Sequence, residues 1–132
     1  MEWVEKTPQY GDIVRTKVTF YYHYGIFVDE NTVVQFGLPD NVRTPPGQVK
    51  VLTTDVYTFL DGGSVEVGVP DRREKRTMGT PRQIVEAALS RLGEGGYDLR
   101  RNNCLTFVEQ CAFTAHCPGF FERLIQKRRG GS

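Results

Sequence analysis

"FYYHYGIFVDENTVVQFG", residues 20 to 37, sets two runs of β-branched and aromatic residues on either side of a short polar break, Asp29-Glu30-Asn31. Runs of that composition flanking a polar break read as two strands of a β-hairpin. The first run carries His23, one of two histidines in the chain. A lone histidine in a strand is ordinarily a satisfied core residue, so the loop length decides whether this one has a polar companion. A three-residue loop pairs Val28 with Thr32 and Gly25 with Gln35, which places Gln35 diagonal to His23 on the same face. A two-residue loop pairs Gln35 with Ile26 and turns its side chain to the other face.

Outward from the hairpin, "GDIVRTKV" (11–18) alternates enough to form a preceding strand. The prolines and glycines of "GLPDNVRTPPGQ" (37–48) break either period, so this stretch reads as loop. A strand is expected near "VKVL" (49–52), a turn-like stretch at "TTDVYTFLDGG" (53–63), and a strand at "SVEVGV" (64–69). The charged "DRREKRTMG" (71–79) is expected to cross the surface as a loop. No internal repeat is evident.

Beyond residue 79 the period changes. "TPRQIVEAALSRLG" (80–93) has Thr80 at an N-cap, Pro81 at N1, Gln83 closing a capping box and Gly93 to terminate, with Ile84, Val85, Ala88 and Leu92 on one face. "NNCLTFVEQCAFTA" (102–115) predicts a second helix capped by Asn102 or Asn103, with Leu105, Val108, Ala112 and Ala115 along one stripe. Cys104 then occupies its first turn. The tail "FFERLIQKRRGGS" is expected to add a short helix before fraying.

With 132 residues, 39% hydrophobic and 25% charged, the composition fits one globular domain. Seventeen basic residues against sixteen acidic leave a net charge of +1, which implies no nucleic-acid partner. No basic, apolar leader opens the sequence and no window approaches 18 uninterrupted apolar residues, so a cytoplasmic protein without a spanning helix is expected. Three cysteines, Cys104, Cys111 and Cys117, cannot all pair within one chain, and reduced thiols are expected.

A thiol at a helix N-terminus is favoured as thiolate by the unpaired N–H groups and the helix dipole. Cys111 and Cys117 read instead as small buried apolar residues. His116 lies twelve residues beyond Cys104, about 18 Å along a continuing helix, which is too far to serve it. By elimination His23 is the remaining imidazole base. A metal set of Cys104, Cys111, Cys117 and His116 contains no C-x-x-C pair, and Cys104 and Cys111 lie about 10 Å apart along the helix, too far for a shared zinc or a disulfide. Neither a metal nor a cofactor is expected.

Taken together, "YYHYGIFV", "VVQFG" and the distant "YDLRRNNCLTFVEQC" resemble the lecithin retinol acyltransferase-like family, a circularly permuted branch of the papain-like thiol enzymes, over roughly residues 9 to 113. The resemblance rests on a His-aromatic-Gly/Ala-hydrophobic box at His23 and an Asn-Cys-x-x-Phe-Val box at Asn103, Cys104, Phe107 and Val108. It implies an α+β, permuted papain-like fold, an antiparallel sheet packed on two helices with the nucleophile at a helix N-terminus. The chain is then a single such domain, 1–132, with a tail at 118–132. The implied roles are Cys104 as acyl-accepting nucleophile, His23 as general base, and Gln35, twelve residues later, as the group that orients it. Vertebrate members usually carry histidine at the position of Gln35, and many have Glu-His where this chain has Leu105-Thr106. A glutamine still accepts an imidazole N–H but brings no charge. The Leu105-Thr106 change implies a different acceptor or substrate mouth.

The activity implied is ping-pong acyl transfer or hydrolysis on a lipid acyl ester through a Cys104 thioester, with the Cys104 backbone N–H as oxyanion donor and Tyr21, on His23's face by parity, as a weaker one. The partners implied are an acyl-lipid donor, a phospholipid first among them, and a small nucleophile or water. The same residues fit a cysteine amidase or peptidase, and some viral relatives look like non-catalytic interaction modules. Membrane-anchored relatives end in a hydrophobic helix, whereas "QKRRGGS" implies at most peripheral contact. The basic clusters Arg72-Arg73-Lys75-Arg76 and Lys127-Arg128-Arg129 read first as solvated faces, and on an anionic membrane surface they would contribute about 1 kcal/mol per basic side chain.

Overall fold

A computed structural model describes residues 1–39 and 44–113. The hairpin is built from β3 (Tyr21–Asp29) and β4 (Thr32–Phe36), joined by a two-residue turn in which Asn31 N–H bonds the Asp29 carboxylate at 2.9 Å. Asp29 faces Thr32, yet Phe27 faces Val33 and Gly25 faces Gln35, because a β-bulge at Val28 shifts the register by one. The expected Gly25–Gln35 pair is therefore present, by a different route from the three-residue loop. A short turn and a bulge together restore the parity that a short turn alone would have reversed.

Four further strands complete an antiparallel six-stranded sheet: β1 (Glu2–Val4), β2 (Ile13–Val18), β5 (Val51–Thr54) and β6 (Glu66–Val69), in the order β1-β6-β2-β3-β4-β5. The strands expected near 11–18, 49–52 and 64–69 correspond to β2, β5 and β6. The edge strand β1 was not anticipated; "EWV" is too short to show a period.

Among the described residues four α-helices accompany the sheet: α1 (Val56–Leu60), α2 (Arg72–Thr77), α3 (Pro81–Ser90) and α4 (Cys104–Phe113). α3 starts as its sequence dictates, with Thr80 and Gln83 closing a capping box and Pro81 in the first turn. Two expectations are corrected. The "turn-like" segment holds α1, capped by Asp55, and the "loop" at 71–79 holds α2, whose capping box is Asp71 with Glu74. The Asp-x-x-Glu signal was present there, but no apolar stripe followed it to mark a helix.

Strand alternation sends side chains to two faces. On one face Ile26, Val34, Phe36 and Val51 pack with Ile84, Val85 and Ala88 of α3 and Phe107, Val108, Cys111 and Ala112 of α4. On the other, Val14, Phe27, Val33 and Val67 pack with Phe59 of α1. The buried stripe of α4 is corrected accordingly, since Leu105 is 39% exposed whereas Phe107 and Cys111 are buried. The Ala115 end of that stripe, the expected tail helix, Cys117, His116 and the Lys127-Arg128-Arg129 cluster lie outside the described residues. Among the described residues no helix is long and apolar enough to cross a membrane.

Candidate functional site

His23 stands on β3 opposite Thr16 of β2, and the cross-strand pair shares the α1 face with Gly25 and Gln35. The ring is 1% exposed and lies over Phe59, the centroids 5.2 Å apart and the planes tilted by 34°. Gly25 makes this possible, because a Cβ there would come within 2.8 Å of Phe59 Cε1 and 2.9 Å of Val33 Cγ1. α1 is fixed beneath the hairpin by Val56 N–H, which donates to the Glu30 carbonyl at 2.9 Å.

The imidazole meets Gln35 as the parity argument required, with His23 Nε2 2.8 Å from Gln35 Oε1. The chain of bonds continues. Gln35 Nε2 donates to Thr54 Oγ1 at 2.7 Å, and Thr54 Oγ1 donates to the Asp55 carbonyl at 2.9 Å. A hydroxyl has one proton, so with that proton on Asp55 the Thr54 oxygen only accepts from Gln35. The amide thus turns its NH2 to Thr54 and its oxygen to the ring, so His23 carries its proton on Nε2 and its lone pair on Nδ1. Thr54 is a member of the site that the sequence did not reveal. It lies 19 residues from Gln35, and only the β4–β5 register brings it near.

Cys104 begins α4 behind an Asn103 cap. Asn103 Oδ1 accepts from the N–H groups of Leu105 and Thr106, both at 3.0 Å, and Thr106 Oγ1 accepts from Asn103 N–H at 2.9 Å. Thr106 thereby plays the reciprocal part that Glu or Gln plays in a capping box. Its partner in the dipeptide, Leu105, faces outward. The Leu105-Thr106 departure accordingly splits into a capping role and a surface role.

The thiol reaches β3 through the backbone. Phe27 N–H points to the β2 side, where it bonds the carbonyl of Asp12 just before that strand, so by alternation the N–H groups of Ile26 and Tyr24 point toward β4. The β3–β4 ladder ends at the Gly25–Gln35 pair, and the Tyr24 N–H beyond it faces the Cys104 thiol and favours its charged form. That N–H belongs to the peptide joining His23 to Tyr24. The sulfur's link to the strand is thus to the backbone, while the ring's own bond goes to Gln35.

Burial pushes the Cys104 thiol up, outweighing the N–H groups of Tyr24, Leu105 and Cys104 itself, which pull it down. The expectation of a resting thiolate is corrected: the helix N-terminus acts in the expected direction, but desolvation of a sulfur this enclosed exceeds it. Burial likewise lowers His23, with the Gln35 bond opposing, so the imidazole is neutral at rest. Cys111, 1% exposed on the apolar face, is pushed up to about 11 by burial despite Arg91 nearby. Tyr21 donates its hydroxyl to the Pro39 carbonyl at 2.6 Å and so tethers the chain after β4.

On the α4 face a groove of about 190 Å³ is lined by Trp3, Ile13, Tyr24, Leu105, Val108 and Phe113 with Glu74 and Glu109, so it reaches the residue that follows Cys104 in α4 but not Cys104 itself. Tyr24 is the residue whose N–H faces the thiol, and Val108 lies one helical turn below Cys104.

The family model described as lecithin retinol acyltransferase matches residues 6–117. The rat protein named lecithin retinol acyltransferase is 28% identical over 124 residues, covering 78% of this chain and 53% of its own length. The chain thus spans about half the length of that relative.

Proposed function

Since the chain belongs to the lecithin retinol acyltransferase family, whose members are cysteine-dependent acyltransferases and phospholipases, we propose that it transfers or hydrolyses lipid acyl esters through a thioester on Cys104. The observation that carries this reading lies on β3, where Gln35 orients the His23 imidazole and the next residue, Tyr24, turns its N–H toward the thiol at the start of α4. On this reading the domain has the permuted papain-like arrangement.

Both groups start neutral, which makes the first step general-base catalysis instead of attack by a preformed ion pair. His23 Nδ1 takes the thiol proton as the sulfur forms its bond to the ester carbonyl carbon. The oxyanion lies against the Cys104 N–H, at the helix N-terminus. Tyr21 is a second donor only when its bond to Pro39 is released. Collapse of the tetrahedral intermediate breaks the ester C–O bond, and the imidazolium protonates the departing alkoxide. Water, an alcohol or an amine then gives its proton to His23 and takes the acyl group, regenerating the thiol.

The groove favours an acyl ester over a peptide. Its walls are mostly apolar and its volume, about 190 Å³, exceeds the roughly 150 Å³ in which an apolar cavity takes up benzene. Exposed Arg72, Arg73, Lys75 and Arg76 on α2, the helix that also brings Glu74 to the groove, place positive charge where an anionic phospholipid surface would meet it. The relative's name couples lecithin and retinol to acyl transfer, and lecithin is a phospholipid of the class proposed as donor.

Intact-mass analysis after incubation with phospholipid vesicles tests the reading. The expected result is a single acyl adduct on the wild type that is absent from Cys104→Ser and His23→Ala. An adduct that persists in Cys104→Ser overturns it.

A further inference from the structure

We infer that Thr54 is a positioning residue that selects the catalytic tautomer of His23 by fixing which way the Gln35 amide faces. Its kinetic consequence rests on the acyl-enzyme reading above; its structural consequence does not.

A carboxamide has two unlike ends that exchange places on a half-turn about one bond, so a glutamine beside an imidazole is an ambiguous partner. With Oε1 toward the ring it accepts from Nε2–H and leaves Nδ1 free. With Nε2 toward the ring it donates to that nitrogen and drives the ring proton onto Nδ1, removing the base. Gln35 is fully buried, so water does not arbitrate between the two. Thr54 does.

Thr54 pairs with Val33 across β4 and β5, so parity sets it on the face that Val33 and Gln35 share. Its hydroxyl proton is spent on the Asp55 carbonyl, which also receives Phe59 N–H at 3.1 Å, at the start of the helix that carries the ring's stacking partner. Asp55 is itself held as the α1 cap, its carboxylate accepting Thr58 N–H at 2.7 Å. The Thr54 oxygen therefore offers Gln35 Nε2 a lone pair at 2.7 Å. The second amide donor direction leads to the Val33 carbonyl at 3.5 Å, another acceptor. Both neighbours on the far side of the amide accept, and the flipped amide would set oxygen against oxygen. A charged or self-sufficient third residue would need no such arbiter, so Thr54 answers the presence of glutamine at position 35.

The test uses Thr54→Val, which keeps shape and removes the acceptor, with nitrogen-15 spectroscopy of the His23 ring in a His116→Gln background. Wild type should show the Nε2–H tautomer. Thr54→Val should show a mixture, together with an acylation rate constant reduced about 3- to 10-fold at unchanged KM, the scale of one neutral hydrogen bond. Thr54→Ser should restore both, and Thr54→Val added to Gln35→Ala should change the rate no further. A folded Thr54→Val with wild-type tautomer and wild-type rate overturns the inference. If valine does not fold, Thr54→Ala carries the same comparison, since Thr54 is only partly buried. Acyl-enzyme formation that survives His23→Ala would sink the catalytic reading alone, because a Thr54-dependent tautomer would still support the present inference.

Discussion

The two faces of the sheet are built from the same strands and serve different ends. Among the described residues the buried polar side chains are Thr16, His23 and Gln35, and all three lie on the α1 face. The α3–α4 face is lined instead by Ile26, Val34, Phe36, Phe107 and their neighbours. An alternation of period two separates these populations along single strands, so Tyr24 and Ile26 pack the core while His23 and Gly25, one residue away, shape the polar cluster. Cys104 packs with the apolar face, and the Tyr24 N–H turns toward its thiol where the β3–β4 pairing ends. On the proposed function, substitutions at the polar cluster and at Cys104 should change chemistry, and those in the α3–α4 core should change stability.

The sharpest challenge to that division is Cys104→Ser. It keeps the size of the side chain and loses the polarisable, ionisable sulfur, so acyl-enzyme formation should vanish while the thermal midpoint stays within a few degrees of wild type. Turnover retained in the serine variant would assign the nucleophile elsewhere.

Phe107→Ala probes the opposite face. Phe107 is fully buried and stacks edge-on against Phe36 at 6.3 Å, with the Arg91 guanidinium 4.9 Å from its centroid. Removing it should cost about 3 to 5 kcal/mol in denaturant unfolding, with the acylation rate of the folded fraction close to wild type. A loss of rate without loss of stability would break the comparison.

His23→Ala should slow acylation on the order of 100-fold or more, the usual weight of general-base chemistry. The buried ring also gives a pH signature. Burial lowers the His23 pKa in the folded state below its ordinary value of 6.5, so between the lowered value and 6.5 the unfolded chain binds a proton that the folded one does not. Stability is therefore full above about pH 6.5 and declines as pH falls below it, with a slope from this group of at most about 1.4 kcal/mol per unit. The acid limb of the acylation rate should lie below pH 6.5 for the same reason. Denaturant titrations of wild type and His23→Gln from pH 7.5 to 5 should diverge in that direction, and parallel curves would mean that the ring is not buried neutral.

What was legible in the sequence follows the same division. The apolar period announced α3 and α4, and the caps at Thr80 and at Asn102 or Asn103, of which the structure uses Asn103, placed their starts, including Cys104 in a first turn. The Gly25–Gln35 pairing was foreseen as one of two registers, but the bulge at Val28 that produces it leaves no mark in a run of alternating apolar residues. α1 and α2 are short and owe their existence to caps and tertiary support, which a periodicity scan does not see. Thr54 was invisible because nothing near it in sequence refers to Gln35. The resting thiolate was misjudged because the sequence displays the helix N-terminus and hides the burial of the sulfur.

The smallest effect is expected at Gln35, where this chain departs from its vertebrate relatives. Gln35→Ala removes the acceptor for His23 Nε2–H, a neutral bond of about 0.5 to 1.5 kcal/mol, so acylation should slow by roughly 2- to 12-fold. The buried ring N–H loses its acceptor while the partly buried Thr54 hydroxyl keeps its bond to the Asp55 carbonyl, and the protein should also lose about 1 to 3 kcal/mol of stability, read separately by denaturant. Rate and stability thus move in one variant, which neither Cys104→Ser nor Phe107→Ala is expected to do. The comparison is sharpened by measuring acylation under conditions where both proteins are fully folded. If Gln35→Ala then matches His23→Ala in lost rate, orientation and base chemistry are not separable here, and Gln35 contributes more than a neutral hydrogen bond allows. If it matches wild type, packing against Phe59 alone holds the ring, and the chain of bonds from His23 to Asp55 is structural.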